Sequence, residues 1–512
     1  MKKTLLALAL LLALLPLSGC SDWEDSEPDD VFQTLKEYYN TEEPDHEPTP
    51  LTSFSLPYFE GETVDPISCS EGPHQVLGSL LYEGLFTLDP HWEVQPLLAE
   101  RYTYDASSHS YTIELRSDVT FSDGSPLSAY DVVSTLQRSR SSPRYASRLQ
   151  DVSSIYSYGN TVEINLHRDN AQLPALLDIP IIKAGTEDSL FPVGTGPYYY
   201  TNQDSKPRLL ANTAWHVGKS LPLHEIGLVR CKDNDSVAYA FYAREVQLLS
   251  YDLTATHGSN VSGIGIYEDA PSTAMHYIGL NVNHEPLNNP AVRHALSLGI
   301  DRGECVNAYL LGHGLSAQYP LSPASTLYPA GQDVAYSPDN FDSAMAAAGY
   351  SSGNTTSLTM IVNAESEFKV SAAQKIAADL SRHDIKISVE ALPWDSYLQC
   401  LRSGDFDLYY GECRMTADWD LQSLLGAGGT LNYGGYADPK MDTLMQAALS
   451  SDEQQRSAAY NSLYTYFEQQ SPLLPVCFKS LSVLMPSGAV EKITPTAANP
   501  FYDFSQWKLN MK

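Results

Sequence analysis

Leu358-Thr-Met-Ile-Val362, a helical run over residues 371–383, and Ile385-Lys-Ile-Ser-Val-Glu-Ala391 are the stretch on which the fold is decided. The first and last segments have the composition and period of strands. Between them Ala373, Ile376, Ala377 and Leu380 recur at helical spacing. A strand, a helix and a second strand in this order form a β-α-β unit. The two strands are therefore expected to be parallel, joined by a right-handed crossover.

Nearer the N-terminus, Tyr111-Thr-Ile-Glu-Leu115 and Val162-Glu-Ile-Asn-Leu166 alternate apolar and polar, as half-buried strands do. Tyr158-Gly159-Asn160 supplies a turn just before the second. Ser128 with Asp131 reads as a helix cap, followed by Val132, Val133 and Leu136 on one face. Asn289-Pro290 opens another helix, and Asp301 with Glu304 begins one more that carries Val306, Tyr309 and Leu310. Hairpins thus mix with crossovers, which predicts α/β lobes with mixed sheets flanked by helices. No internal repeat at a fixed period is visible.

The chain has 512 residues, is 43% hydrophobic and carries a formal charge of −31. That length and apolar content support several large cores. The acidity argues against nucleic acid as a partner, because a phosphate backbone calls for a basic face. Lys2 and Lys3 precede an unbroken Leu/Ala run over residues 5–15, which fits a secretory signal rather than a spanning helix. Leu17-Ser18-Gly19-Cys20 follows and resembles a bacterial lipobox, which implies cleavage after residue 19 and lipidation of Cys20. Residues 20–50 read as a disordered tether. Between Ser21 and Pro50 it holds eleven acidic residues against one base, Lys36. Like charges extend such a segment and repel an anionic membrane surface.

Signatures of catalysis mostly fail. No Ser has Gly at both −2 and +2, and no His-Glu pair has its second His at zincin spacing. Gly218-Lys219-Ser220 lacks the earlier Gly of a phosphate loop. Ser366-Glu-Phe-Lys369 and Ser505-Gln-Trp-Lys508 match Ser-x-x-Lys, a pattern common by chance, and are the basis of an alternative reading as a secreted serine hydrolase. Cys69, Cys231, Cys305, Cys400, Cys413 and Cys477 contain no Cys-x-x-Cys, and His276, His284 and His294 lack ligand spacing. Neither a metal nor a cofactor is expected. An exported chain with 33 Tyr and 6 Trp but no catalytic constellation suggests binding.

Several further segments stand in a telling order along the chain. They include Leu80-Leu-Tyr-Glu-Gly-Leu-Phe86 and Gln95-Pro-Leu-Leu-Ala-Glu100. The most specific is Val119-Thr-Phe-Ser-Asp-Gly-Ser-Pro-Leu-Ser-Ala-Tyr-Asp-Val-Val133. Gly194-Thr-Gly-Pro-Tyr198, Tyr277-Ile-Gly-Leu-Asn281, Val292-Arg-His-Ala-Leu296, Ala347-Ala-Gly-Tyr350 and Gly404-Asp-Phe-Asp-Leu408 continue the series. Together these segments resemble the extracellular solute-binding proteins of bacterial ABC importers, family 5, the peptide/nickel-binding or oligopeptide-binding type.

The resemblance implies a two-lobed periplasmic-binding-protein fold with a hinge. The first lobe would span residues 51–276, with an inserted subdomain near 88–185. The second would span 277–475, and 476–512 would return to complete the first. It implies a monomeric receptor, anchored to the cell membrane through Cys20 and facing the extracytoplasmic side. Such a receptor captures a peptide or other small polar solute and delivers it to permease subunits driven by a separate ATPase. Nickel chelates, haem and oligosaccharides remain alternative solutes, since one fold serves many ligands. Ala417-Asp418-Trp419 matches the motif whose Asp meets a peptide's α-ammonium. Trp394, Tyr145, Trp419 and Tyr433 are expected near the ligand. Arg414 stands where the family has another residue, and is expected to pair either a ligand carboxylate or Glu412.

Overall fold

The computed structural model describes residues 50–254, 266–329, 331–350 and 355–512. The signal segment, Cys20 and all but the last residue of the tether lie outside the described residues. The β-α-β unit forms as expected. Thr356–Asn363 and Ile385–Leu392 pair in parallel, with Leu358 opposite Ile387, and the helix between them is Glu367–Leu380. That helix begins four residues earlier than its apolar spacing suggested and stops before His383, which has φ 53°. Its buried face, Ala373, Ile376, Ala377 and Leu380, packs on the strands.

These strands belong to a seven-stranded sheet in the order Leu249–Tyr251, Leu473–Met485, Ile266–Leu280, Leu408–Arg414, Thr356–Asn363, Ile385–Leu392. Gly314–Ser316 adds to Leu473–Met485. Alternation sends Leu408 and Tyr410 to one core and Tyr409 and Cys413 to the opposite one. The strands Ile266–Leu280 and Leu473–Met485 run antiparallel and are the longest in the molecule's described part. Each passes without a break through one of the lobe boundaries that the resemblance implies, near residues 276 and 475.

Two four-stranded sheets and a two-stranded ribbon, Phe86–Leu88 with Val94–Pro96, build the rest. In one, Ser55–Phe59 pairs in parallel with Glu225–Cys231, which continues antiparallel to Arg208–Ala211 and Tyr198–Thr201. Phe501, Phe504 and Trp507, near the C-terminus, pack with Phe54, Leu56 and Tyr198 of this layer. The other sheet is wholly antiparallel, in the order Ala99–Asp105, Ser110–Leu115, Thr161–Leu166, Val152–Tyr158. The helix Ala129–Ser139 covers it, opened by a capping box between Ser128 and Asp131. Gly194 and Gly196 approach residues 80–81 so closely that a Cβ would lie 2.0 Å from the Leu81 carbonyl at the first and 2.5 Å from that of Leu80 at the second. Only glycine fits there.

Where a helix was expected after Asp301, the chain makes one α-turn, Arg302–Glu304, and then a π-helical turn, Cys305–Tyr309. Arg302 explains part of the local geometry. Its buried guanidinium bonds the carbonyls of Ser297, Ala317 and Pro475, tying this turn to the long C-terminal strand.

Candidate functional site

Asp418 follows the strand Leu408–Arg414 on a loop and is 2% exposed. Segment 168–172, after the wholly antiparallel sheet, reaches it from across the molecule. Asn170 donates from Nδ2 to Asp418 Oδ2 at 3.0 Å. The Asn170 amide has a fixed orientation, because its Oδ1 accepts the backbone N–H of Gln172 at 2.8 Å. Gln172 in turn donates to the Tyr460 hydroxyl at 2.9 Å, and that hydroxyl donates to the Asp418 carbonyl at 3.0 Å. Next to this chain Arg168 bridges Asp151, at 2.6 Å, and Asp420. Gln446 Nε2 bonds the Asp169 carbonyl at 2.7 Å, and Ala171 N–H bonds the Leu449 carbonyl at 3.1 Å. One five-residue segment therefore stitches the antiparallel-sheet subdomain to the loop and helices of the seven-stranded-sheet lobe.

Asp418 Oδ1 has no hydrogen-bond partner. The Thr416 hydroxyl is near enough to favour the ionised form but makes no bond of proper geometry to that oxygen. Burial, and then the negative charge of Asp420, push the Asp418 carboxyl up to about 6, against the pull of Thr416, Asn170 and the Asp420 backbone N–H. A buried acceptor without a donor is costly, and a cation brought to Oδ1 would relieve both the missing bond and the missing charge.

Trp419 is buried, has φ 56°, and meets Phe478 and Trp92 edge-on, with ring centroids 6.0 and 5.3 Å apart. Trp92 comes from the turn between Phe86–Leu88 and Val94–Pro96 and has φ 67°. Left-handed backbone at a bulky residue costs on the order of 1–2 kcal/mol, so two adjoining tryptophans in that state need firm support from their surroundings. The turn has it: Asp89 Oδ1 accepts the N–H groups of His91 and Glu93 at 2.8 and 2.9 Å. His91 also contacts the Ala324 carbonyl at 3.2 Å, and Thr326 bonds Glu93.

The other expected site residues take no part in the hydrogen bonds around Asp418. Tyr145 is 2% exposed, inside the core of the antiparallel-sheet subdomain, with the Arg144 and Arg148 guanidinium groups each 5.3 Å from its ring. Trp394 opens the helix Trp394–Ser403, is 47% exposed and stacks on Tyr397. Tyr433 is half-buried, edge-on to Tyr409 at 6.1 Å. Arg414 is exposed, and the expected alternative of an internal pair with Glu412 is not made. Glu412 instead meets Lys369 at 2.7 Å and Lys479 at 3.9 Å. Arg414 and Glu412 are alternate residues of one strand, and the nearer lysines take the carboxylate first.

Burial alone pushes Glu412 up, but His276, Lys479 and Lys369 outweigh it and hold the carboxyl well below the usual range. His276 Nε2 lies 3.5 Å away without a hydrogen bond, and burial pushes the imidazole down. Both lysines of the Ser-x-x-Lys matches are engaged by carboxylates, Lys369 by Glu412 and Lys508 by Glu491 at 3.3 Å. Among the described residues no group of three or more His, Cys, Asp or Glu is placed to hold a metal ion. No helix there is long and apolar enough to cross a membrane.

Asn170, Arg168, Trp92 and Tyr460 carry no local sequence signal. Asn170 lies 248 residues from Asp418, and only folding makes them neighbours. Thr416 and Asp420, two residues to either side of Asp418, are the neighbours a reader of the motif could have noticed.

Comparison with known proteins fits this architecture. The profile of bacterial extracellular solute-binding proteins, family 5 Middle, matches residues 93–429, well over half of the chain. The glutathione-binding protein GsiB of Salmonella typhi is 26% identical over 450 residues, covering 82% of this chain and 87% of that protein. Its counterpart in Escherichia coli strain K12 is 27% identical over 453 residues, with the same coverage of 82% and 87%. Among solved structures, the unliganded open form of the periplasmic murein tripeptide binding protein MppA superposes with a TM-score of 0.75 at 17% identity, covering 90% of this chain and 98% of that one. A nickel ABC transporter structure from Bacillus halodurans gives 0.74 at 18% identity, covering 89% and 100%. At such identities the structural likeness concerns the fold alone, which is the two-lobed periplasmic-binding type. The profile match assigns the family: this chain belongs to the bacterial extracellular solute-binding proteins of family 5, the substrate-binding components of ABC importers.

Proposed function

We propose that this protein is a lipid-anchored receptor that captures peptides between its lobes and hands them to an importer's permease. The observation that carries the peptide reading is Asp418. It is a buried carboxylate with one oxygen satisfied by Asn170 from the opposite side and the other, Oδ1, without a donor. A peptide's α-ammonium supplies the charge and the N–H that Oδ1 lacks. Glutathione and murein tripeptide, named for a relative and a structural neighbour, are peptides with a free amino group and fit the same reading. Arg414, exposed on the strand leading to the Asp418 loop, is offered as a contact for a ligand carboxylate, with Trp394 and Tyr433 as outer contacts.

The long strands Ile266–Leu280 and Leu473–Met485 serve as the hinge in this reading, and the contacts of segment 168–172 form the closed junction. Closure requires a ligand that binds the closed state better than the open one. The acidic tether and the lipid on Cys20 hold the receptor at the extracytoplasmic membrane face, where an ATPase on another chain drives uptake.

Calorimetry with tri-L-alanine and its N-acetylated form tests the anchor. The free amine is expected to bind at least tenfold more tightly, and its affinity is expected to fall below pH 6 as a proton takes the place of the ammonium. Equal binding of the two forms defeats the anchor. Native mass spectrometry of fresh protein identifies the natural solute. Radiolabelled palmitate that enters the wild type but not Cys20→Ala tests the lipid.

A further inference from the structure

Trp92 is a second group at the Asp418 junction with an unmet hydrogen bond. Its indole Nε1 is buried and has no acceptor. Indole nitrogen is a donor only, so nothing else in its chemistry can offset that loss. Asp418 Oδ1 is a buried acceptor with no donor. The two are joined through Trp419, which follows Asp418 in the chain and meets the Trp92 ring at 5.3 Å. A ligand that met both groups would carry the opposite pair, a donating cation and an accepting oxygen. An α-aminoacyl group has that pair, its ammonium and its carbonyl oxygen attached through a single α-carbon.

We propose that Trp92 is a ligand-binding residue that donates its indole N–H to the first carbonyl oxygen of a peptide whose ammonium rests on Asp418. This builds on the peptide reading above. The turn is suited to the task because Asp89 braces it from within and the His91–Ala324 and Thr326–Glu93 contacts fix it against the other lobe. The assignment makes the receptor selective for peptides with a free, unmodified first residue, over amines that lack a neighbouring acceptor.

The test is a cycle on the full chain by calorimetry. Tri-L-alanine and its analogue with an (E)-alkene in place of the first peptide bond are titrated into the wild type and into Trp92→Phe. An unmet buried donor predicts that the alkene binds the wild type about tenfold more weakly. Trp92→Phe is expected to lose about tenfold for tri-L-alanine and to show little further loss with the alkene. An equal alkene penalty in both proteins overturns the role of Trp92, whatever the variant does to packing. N-acetyl-tri-L-alanine separates the two readings. If it binds as well as the free amine while the alkene penalty still depends on Trp92, the anchor falls and Trp92 stands. Failure of the wild type to bind any of the three overturns both.

Discussion

Two carboxylates lie six residues apart at the end of one strand, and the fold treats them in opposite ways. Glu412 keeps 28% of its side chain exposed and faces Lys369 and Lys479. Its carboxyl is held well below the usual range. Asp418 is 2% exposed, faces Asp420 rather than a cation, and is pushed up to about 6. A charge that meets its counter-ions inside the protein is structural. A buried charge whose nearest charge has the same sign is costly unless something from outside completes it.

The largest effect is expected from Asp418→Asn. A carboxyl raised from 3.8 to about 6 holds its proton more tightly in the folded state. Ligand-free stability therefore falls as pH rises from near 4 through 6, by about 3 kcal/mol. Asp418→Asn removes that loss, so the variant is expected to be more stable than the wild type at pH 7.5 yet unable to bind tri-L-alanine. Urea unfolding at pH 4.5 and 7.5 checks the sign. A variant that loses stability at pH 7.5 would mean that Asp418 is structural like Glu412.

Arg168→Gln comes next. It leaves Asp420, whose side chain is 9% exposed, without its cation, and is expected to cost about 2 kcal/mol. Asp418 would then face an uncompensated neighbour, so the pH below which tri-L-alanine affinity declines is expected to move above 6. A purely structural Arg168 would lower stability and leave that pH profile in place. Glu412→Gln is expected to cost less, about 1–2 kcal/mol, because the site is partly open to solvent and Lys479 keeps Asp252 at 2.6 Å. Its peptide affinity should stay within twofold of the wild type, and a tenfold loss would place Glu412 in the binding machinery. The smallest effect belongs to Lys508→Gln. Its pair with Glu491 is 76% and 70% exposed, and thermal melts are expected to register within about 0.5 kcal/mol of the wild type.

Much of the fold could be read locally. The alternation in residues 111–115 and 162–166, the Ser128–Asp131 cap and the β-α-β unit all appear as expected, because each depends on a single period or a single cap. Expectation failed where a distant partner decided the geometry. After Asp301 the chain turns π-helical, while Arg302 is drawn to the Pro475 carbonyl, 173 residues away. The helix at Glu367 starts early, and Lys369 in its first turn meets Glu412 on a neighbouring strand. The Arg414–Glu412 alternative failed for the same reason, since strand neighbours were visible in sequence and the lysines were not.

Ordered motifs and hydrophobic period were enough to read the family and the fold class from the chain. The motifs also marked Asp418 as the residue to watch. Folding alone settles which oxygen of Asp418 lacks a partner, that Asn170 holds the other, and that Trp92, with its unmet donor, packs on the neighbouring Trp419. Periodicity is written in near neighbours along the chain. Hydrogen-bond satisfaction and local dielectric depend on every group that folding brings close, and here those groups come from residues 92, 168–172 and 418–460.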